Sequence, residues 1–187
     1  MRNQLKRMKH SFFAIPFFTD KVDLKQISIV EEEQKPNFRS GIYSSFGCPR
    51  TVSEGTINHL SQVISKNIDT LGIPYSAARI DDIWRNTYVS DADFQDPHQH
   101  CGSQWSFIVY EDVDISRTVF LNPYRYRVES QMEVYGHLFA SNPEFFGLDW
   151  RPELHTGDII IFPSFVEHFV LSGGKGSTIA GNVYLSP

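Results

Sequence analysis

Cysteine is nearly absent: Cys48 and Cys101 are the only two among 187 residues. Two thiols cannot build a disulfide framework, so a reducing, cytoplasmic setting is expected. Long apolar runs are missing as well, and no stretch approaches the length needed to cross a bilayer. No membrane partner is therefore expected. The basic head Met1–His10 is followed by no long apolar segment with a small-residue cleavage site, so no secretory signal is expected either. An excess of positive charge is also lacking. The formal net charge is −5, and Arg2, Lys6, Arg7 and Lys9 make only a short basic end. Tight binding to a phosphate backbone needs a basic patch, so nucleic acid is not an expected partner. Repeats, low-complexity tracts and Pro/Ser-rich linkers are absent. One domain over residues 1–187 is the expected organisation.

What the chain does have is aromatic residues, with fifteen Phe and eight Tyr. Aromatics suit the half-buried pleated surface of a sheet. Short β-like runs separated by turn residues predict strands at Arg79–Tyr88, Ser103–Tyr110, Thr118–Leu121, Asp158–Phe162, His168–Leu171 and Thr178–Leu185. An edge strand is expected at Phe12–Phe18, interrupted by Pro16, and a short one at Gly41–Phe46. One helix is clear. Ile57, Leu60, Ile64, Ile68 and Leu71 form an apolar stripe over residues 54–71, with Ser53 as cap and Gly72-x-Pro74 as stop. A weaker helix is expected at Ser130–Phe139, inside or beside an irregular insertion spanning Gly136–His155. Many closely spaced strands with few helices indicate a mainly β sandwich or barrel.

The chemistry concentrates in histidines. His98 and His100 alternate in Asp96-Pro97-His98-Gln99-His100, and on a strand residues i and i+2 share a face. His168 follows a buried apolar run and the breaker Pro163-Ser164. Two ligands from one strand and one from a distant strand can converge on one metal ion and leave coordination positions open. The third-ligand alternatives are Asp96, which has the right parity but precedes Pro97, and Glu167, which has the wrong parity beside His168. His100 is favoured over Asp96, and Asp96 over Glu167. On a regular strand Cys101 faces away from His100 and is expected as a packed thiol. His59, on the helix, is expected at the surface.

The segments Trp84-Arg85-Asn86, Asp96–His100, Ser103, Ser106–Tyr110, Asn122-Pro123, Gly157-Asp158 with Phe162-Pro163-Ser164 and His168, and Thr178–Asn182 carry a resemblance. Together they resemble a branch of the 2-oxoglutarate and iron(II)-dependent oxygenases: the small oxygenases of phage and bacterial genomes with an H-x-H … G-D-x-x-x-F-P-S-x-x-x-H pattern. The resemblance spans Trp84 to Asn182, about half the chain. It implies a double-stranded β-helix (jelly-roll, cupin-like) with one or two supporting helices. The first strand and the helix would pack on the barrel. It also implies iron(II) held by His98, His100 and His168 as the catalytic centre, and 2-oxoglutarate as co-substrate. The product chemistry would be hydroxylation of an unidentified small-molecule or protein substrate, with release of succinate and carbon dioxide. A second copy of the chain is the only further partner considered.

For 2-oxoglutarate the resemblance points to Tyr88, ten residues before His98, and to Asn86 and Asn182. Two departures fall on the chemistry. His100 stands where many relatives have a carboxylate. The stretch Gly173–Thr178 lacks the arginine that many relatives carry shortly after the distal histidine. Lys175 is then the first choice to hold the far carboxylate of 2-oxoglutarate. Arg127 is second, with Arg125 on the same strand parity, and Thr178 adds a hydroxyl. These departures keep two other functions open: a three-histidine cupin-type dioxygenase that does not use 2-oxoglutarate, and a catalytically silent metal- or ligand-binding barrel.

Overall fold

The computed structural model describes residues 14–37, 40–131, 134, 136–137 and 147–187. Its strands in chain order are β1 (Phe18–Lys21), β2 (Ile29–Val30), β3 (Lys35–Pro36), β4 (Tyr43–Ser44), β5 (Thr51–Val52), β6 (Ala77–Tyr88) and β7 (Gln95–His98). There follow β8 (Trp105–Asp112), β9 (Thr118–Leu121), β10 (Asp149–Trp150), β11 (Asp158–Pro163), β12 (His168–Val170) and β13 (Gly176–Ser186). Two α-helices are α1 (Glu54–Ile68) and α2 (Arg125–Glu129), and Val134, Gly136 and His137 are helical as well. A seven-stranded antiparallel sheet runs β1-β11-β8-β13-β6-β4-β3, and a four-stranded one runs β10-β9-β12-β7. This is the two-sheet jelly roll of a double-stranded β-helix.

Side-chain alternation assigns each residue of the large sheet to one of two cores. On β11, Ile159 and Ile161 point to the outer side, where Leu60, Ile64 and Ile68 of α1 cover them. Ile160 and Phe162 point into the barrel, beside Trp84, Ile108, Tyr110 and Ala180. Both faces of β11 are buried, so its sequence reads as an unbroken apolar run. The inward residues of β6, β8 and β13 follow the same even parity. Register brings Asn86 opposite Thr178 and Ser106 opposite Asn182. Gly181 lets β13 fit between its neighbours, since a Cβ there would lie 2.4 Å from the Phe107 ring and 2.6 Å from the Asp82 carbonyl oxygen.

Helix α1 begins where Ser53 accepts a hydrogen bond from the Thr56 N–H, and a 3-10 turn over Asp69–Leu71 closes it before Gly72 at φ 65°. The expected stripe is shorter than its sequence pattern. Ile57 is 38% exposed and Leu71 36%, because a tighter last turn rotates Leu71 off the packed face.

Two expectations change. The first strand starts at Phe18, not Phe12; residues 12–13 lie outside the described ones, and pairing with β11 begins only past Pro16. Arg125 and Arg127 lie on helix α2 and not on a strand. The Asn122 side chain accepts from the Tyr124 N–H at 2.8 Å, a local turn that starts a helical turn instead of a β one. Half of the helix expected at Ser130–Phe139 lies outside the described residues, and of the rest Val134, Gly136 and His137 are helical. Of the expected insertion, Asp149–Trp150 is ordered into β10, paired with β9.

Candidate metal centre

His98 and His168 face each other directly across the antiparallel β7–β12 pair. His100 lies beyond the end of β7, so strand alternation does not place it. Its backbone N–H instead donates to the Ser164 carbonyl at 3.1 Å, which ties it to the Pro163-Ser164 turn. The three rings meet, with centroids 4.3 Å apart for His98–His168, 5.2 Å for His100–His168 and 5.5 Å for His98–His100. Each offers a nitrogen within 4.8 Å of the others.

Their tautomers follow from what the Nδ1 atoms touch. His98 Nδ1 lies 2.8 Å from the Asp96 carbonyl oxygen, and His168 Nδ1 lies 3.1 Å from that of Val166. A carbonyl only accepts, so both Nδ1 atoms carry a proton, and Nε2 is the atom each ring can offer to a metal. His100 Nδ1 lies 2.7 Å from Asn182 Oδ1, again an acceptor. Among the described residues no hydrogen bond reaches Nε2 of any of the three. Burial pushes the His168 imidazole down to about 3, with His98 beside it adding to the effect. Burial also lowers His100, against the opposing hydrogen bond to Asn182. Three imidazoles with occupied Nδ1 atoms and unengaged Nε2 atoms make a donor set that fits iron(II), zinc or nickel, with the remaining positions open.

Behind His100 stands a polar network. Ser106 Oγ lies 3.0 Å from His100 Nδ1, 3.2 Å from Asn182 Oδ1 and 2.8 Å from Ser164 Oγ, and Ser103 Oγ lies 2.8 Å from Ser164 Oγ. Outer hydrogen bonds of this kind fix ring orientation and ligand basicity. The sequence pointed to Asn182 as a co-substrate contact, whereas its carboxamide oxygen is engaged with His100. Asn182→Ala is expected to weaken metal affinity by about 10–100-fold with the fold intact, measured by competition with a chelator.

The histidines stand at the junction of two cavities. A mouth of about 640 Å³ opens outward between Lys35, Phe46, Trp84, Asp96, Gln99 and Cys101. A smaller floor pocket lies inward, lined by Asn86, Tyr88, Gln95, Thr118, Thr178 and His168 among others. His98 and His100 line both. Asn86 lines both too, and its Oδ1 accepts from Ser44 Oγ at 2.7 Å. The Tyr88 hydroxyl donates to Gln95 Oε1 at 2.7 Å, and burial pushes its phenol up.

Other predicted residues lie elsewhere. Lys175 is exposed in the β12–β13 turn and Arg127 is exposed on α2; neither lines the mouth or the floor. Arg125 pairs with Glu167 at 2.8 Å, so that carboxylate is turned to α2 and away from the histidines. Asp96 is exposed at the mouth and reaches His98 only through its backbone. Cys101 is not a packed thiol. The chain has left the strand before it, turning at Gly102 with φ 92°, and the thiol is exposed at the mouth. His59 Nε2 accepts from the Asp23 N–H, apart from the site.

Gln95, Thr118 and the roles of Ser106 and Ser164 were not anticipated. Even parity along β8 could have placed Ser106 inward beside Ile108 and Tyr110. Nothing local marks Gln95, whose role depends on Tyr88 from another strand.

No protein-family model and no curated protein matches the sequence. Solved structures do. An oxidoreductase of the 2OG-Fe(II) oxygenase family from Burkholderia pseudomallei matches 82% of this chain and 72% of its own, with a TM-score of 0.53 at 11% identity. The non-heme alpha-ketoglutarate-dependent epimerase SnoN of nogalamycin biosynthesis matches 83% of this chain and 67% of its own, with a TM-score of 0.51 at 15% identity. At these identities the likeness is one of fold.

Proposed function

We propose that this chain is an iron(II)- and 2-oxoglutarate-dependent oxygenase. The observation that carries the reading is the set of three histidines whose Nδ1 protons are all committed to oxygen acceptors, standing where an open mouth meets a closed polar floor. His98, His100 and His168 would hold the metal. The floor suits a carboxylate, because Tyr88, Thr118 and Thr178 supply hydroxyls and Gln95 and Asn86 supply amides. When bound, iron(II) and 2-oxoglutarate supply oxidative decarboxylation coupled to oxidation of a second substrate. The chain's own part is to orient the imidazoles through Asn182 and Ser106 and to admit substrate past Phe46 and Trp84.

A second reading has its own support. All three donors are imidazoles and none is a carboxylate, and among the described residues no cation lines the floor. That combination would suit a three-histidine dioxygenase that needs no 2-oxoglutarate.

Anaerobic titration separates the two. The iron(II)-loaded protein is expected to develop a visible charge-transfer band on addition of 2-oxoglutarate, and to release succinate once oxygen is admitted. Oxygen uptake with no band and no succinate would favour the second reading. Failure to retain iron would end both.

A further inference from the structure

The floor poses an electrostatic problem. An anion placed among neutral groups away from water is costly unless a positive charge stands close. The cations expected from the sequence, Lys175 and Arg127, face solvent, and Arg125 is taken by Glu167. At the head of β13, where relatives would carry arginine, Gly176 leaves no room for any side chain: a Cβ there would lie 1.8 Å from the Asp112 carbonyl oxygen.

Another cation stands immediately behind the floor. Arg117 precedes Thr118, the first residue of β9, and its guanidinium carbon lies 4.8 Å from the centroid of the Tyr88 ring. The guanidinium is held in place. Its Nη1 donates to the Leu171 carbonyl at 2.7 Å and approaches that of Asp93 at 3.4 Å. The glycine turn after β12 gives it space, since a Cβ on Gly174 would lie only 3.3 Å from Arg117 Nε. It is also unpaired. Among the described residues no carboxylate lies within ion-pair distance of it, and its Nε and Nη2 make no hydrogen bond. The nearby Asp93 carboxylate accepts from the Val89 and Ser90 N–H groups instead. An unpaired, half-buried guanidinium stacked on the ring of Tyr88, which lines the floor, is a positive charge one ring away from the pocket.

We propose that Arg117 is the counter-charge of the floor: acting through the stacked ring of Tyr88, it makes this subsite prefer a ligand whose deep end is anionic over one whose deep end is neutral. It is a positioning and specificity residue, because Tyr88 stands between it and the cavity. The charge usually supplied on the last strand would here come from the start of β9, with Gly174 and Gly176 vacating the usual place. The inference rests on the 2-oxoglutarate reading above.

The test uses the full chain loaded with iron(II) under anaerobic conditions, with binding followed by calorimetry. The probes are 2-oxoglutarate and 2-oxobutanoate, which share the metal-chelating end and differ in the far carboxylate. Arg117→Gln is expected to weaken 2-oxoglutarate binding by about tenfold or more and to leave 2-oxobutanoate within about twofold. Arg117→Lys should recover most of the difference, Lys175→Gln and Arg127→Gln should change neither probe, and iron stoichiometry should stay constant throughout. Equal loss of both probes in Arg117→Gln would make the residue merely structural and overturn the proposal; so would no loss. A parent protein that holds iron and binds neither probe would refute the 2-oxoglutarate reading itself, and this inference with it.

Discussion

Replacing His168 with alanine is expected to reduce bound iron from about one ion per chain to near none. His168 is the one fully buried member of the triad, 2% exposed. It sits between Phe120 and Phe162, with ring centroids 5.6 and 4.9 Å away. Its Nδ1 is committed to the Val166 carbonyl, so its Nε2 is set toward the other two rings before any metal arrives. A ligand already paid for in orientation contributes more to affinity than a mobile surface histidine. Removing it also leaves a void among aromatic rings, costing about 1–3 kcal/mol even without metal. The two effects separate in a thermal melt. Saturating iron should raise the parent's melting temperature, since about 2.7 kcal/mol is gained at a ligand concentration 100 times Kd. The His168→Ala melt should be lower and indifferent to iron. His59→Ala should match the parent in both respects. A His168→Ala variant that still binds one iron per chain would move the centre elsewhere.

How much of this was legible in the sequence follows from how local each feature is. The jelly roll was readable because its elements are marked by their own residues: β11 by an unbroken apolar run, β6 and β13 by β-like runs bounded by turn residues, α1 by a cap and an i, i+4 stripe. His98 and His168 were readable because each opens or closes such a strand. His100 was predicted on the premise of a continuing strand, and it arrives by another route, a hydrogen bond to Ser164 from 64 residues downstream. The dedication of Asn182 to His100 depends on β8, β13 and the loop after β7 meeting, which no local pattern encodes. The cation nearest the floor is hidden from the sequence for the same reason. Sequence distance from His168 pointed to Lys175, whereas Arg117 reaches Tyr88 only because β9 pairs with β12 and the turn beyond it is glycine. Arg127 was misplaced because the Asn122 side chain starts a helical turn that strand parity cannot anticipate.

Placing an arginine at the head of the last strand, as Gly176→Arg, is expected to destabilise the fold and not to improve 2-oxoglutarate binding. Gly176 has φ 129°, backbone that residues with a side chain rarely adopt. Strain of this kind costs about 1–3 kcal/mol by itself. The larger difficulty is space. The first side-chain carbon would fall 1.8 Å from the Asp112 carbonyl oxygen and 3.0 Å from its carbonyl carbon. These are backbone atoms at the end of β8, which pairs with β13, so relief requires separating two adjoining strands of the large sheet. That separation would disturb the register setting Asn182 opposite Ser106, and with it the support of His100. A total loss of about 3 kcal/mol or more is expected from strain and overpacking together. Urea unfolding of the metal-free protein measures it as a lower midpoint at unchanged slope. Gly176→Ala should lose nearly as much, because the clash begins at Cβ. A Gly176→Arg protein as stable as the parent, with tighter 2-oxoglutarate binding, would show that the turn can re-form around a side chain and that the counter-charge belongs on the last strand after all.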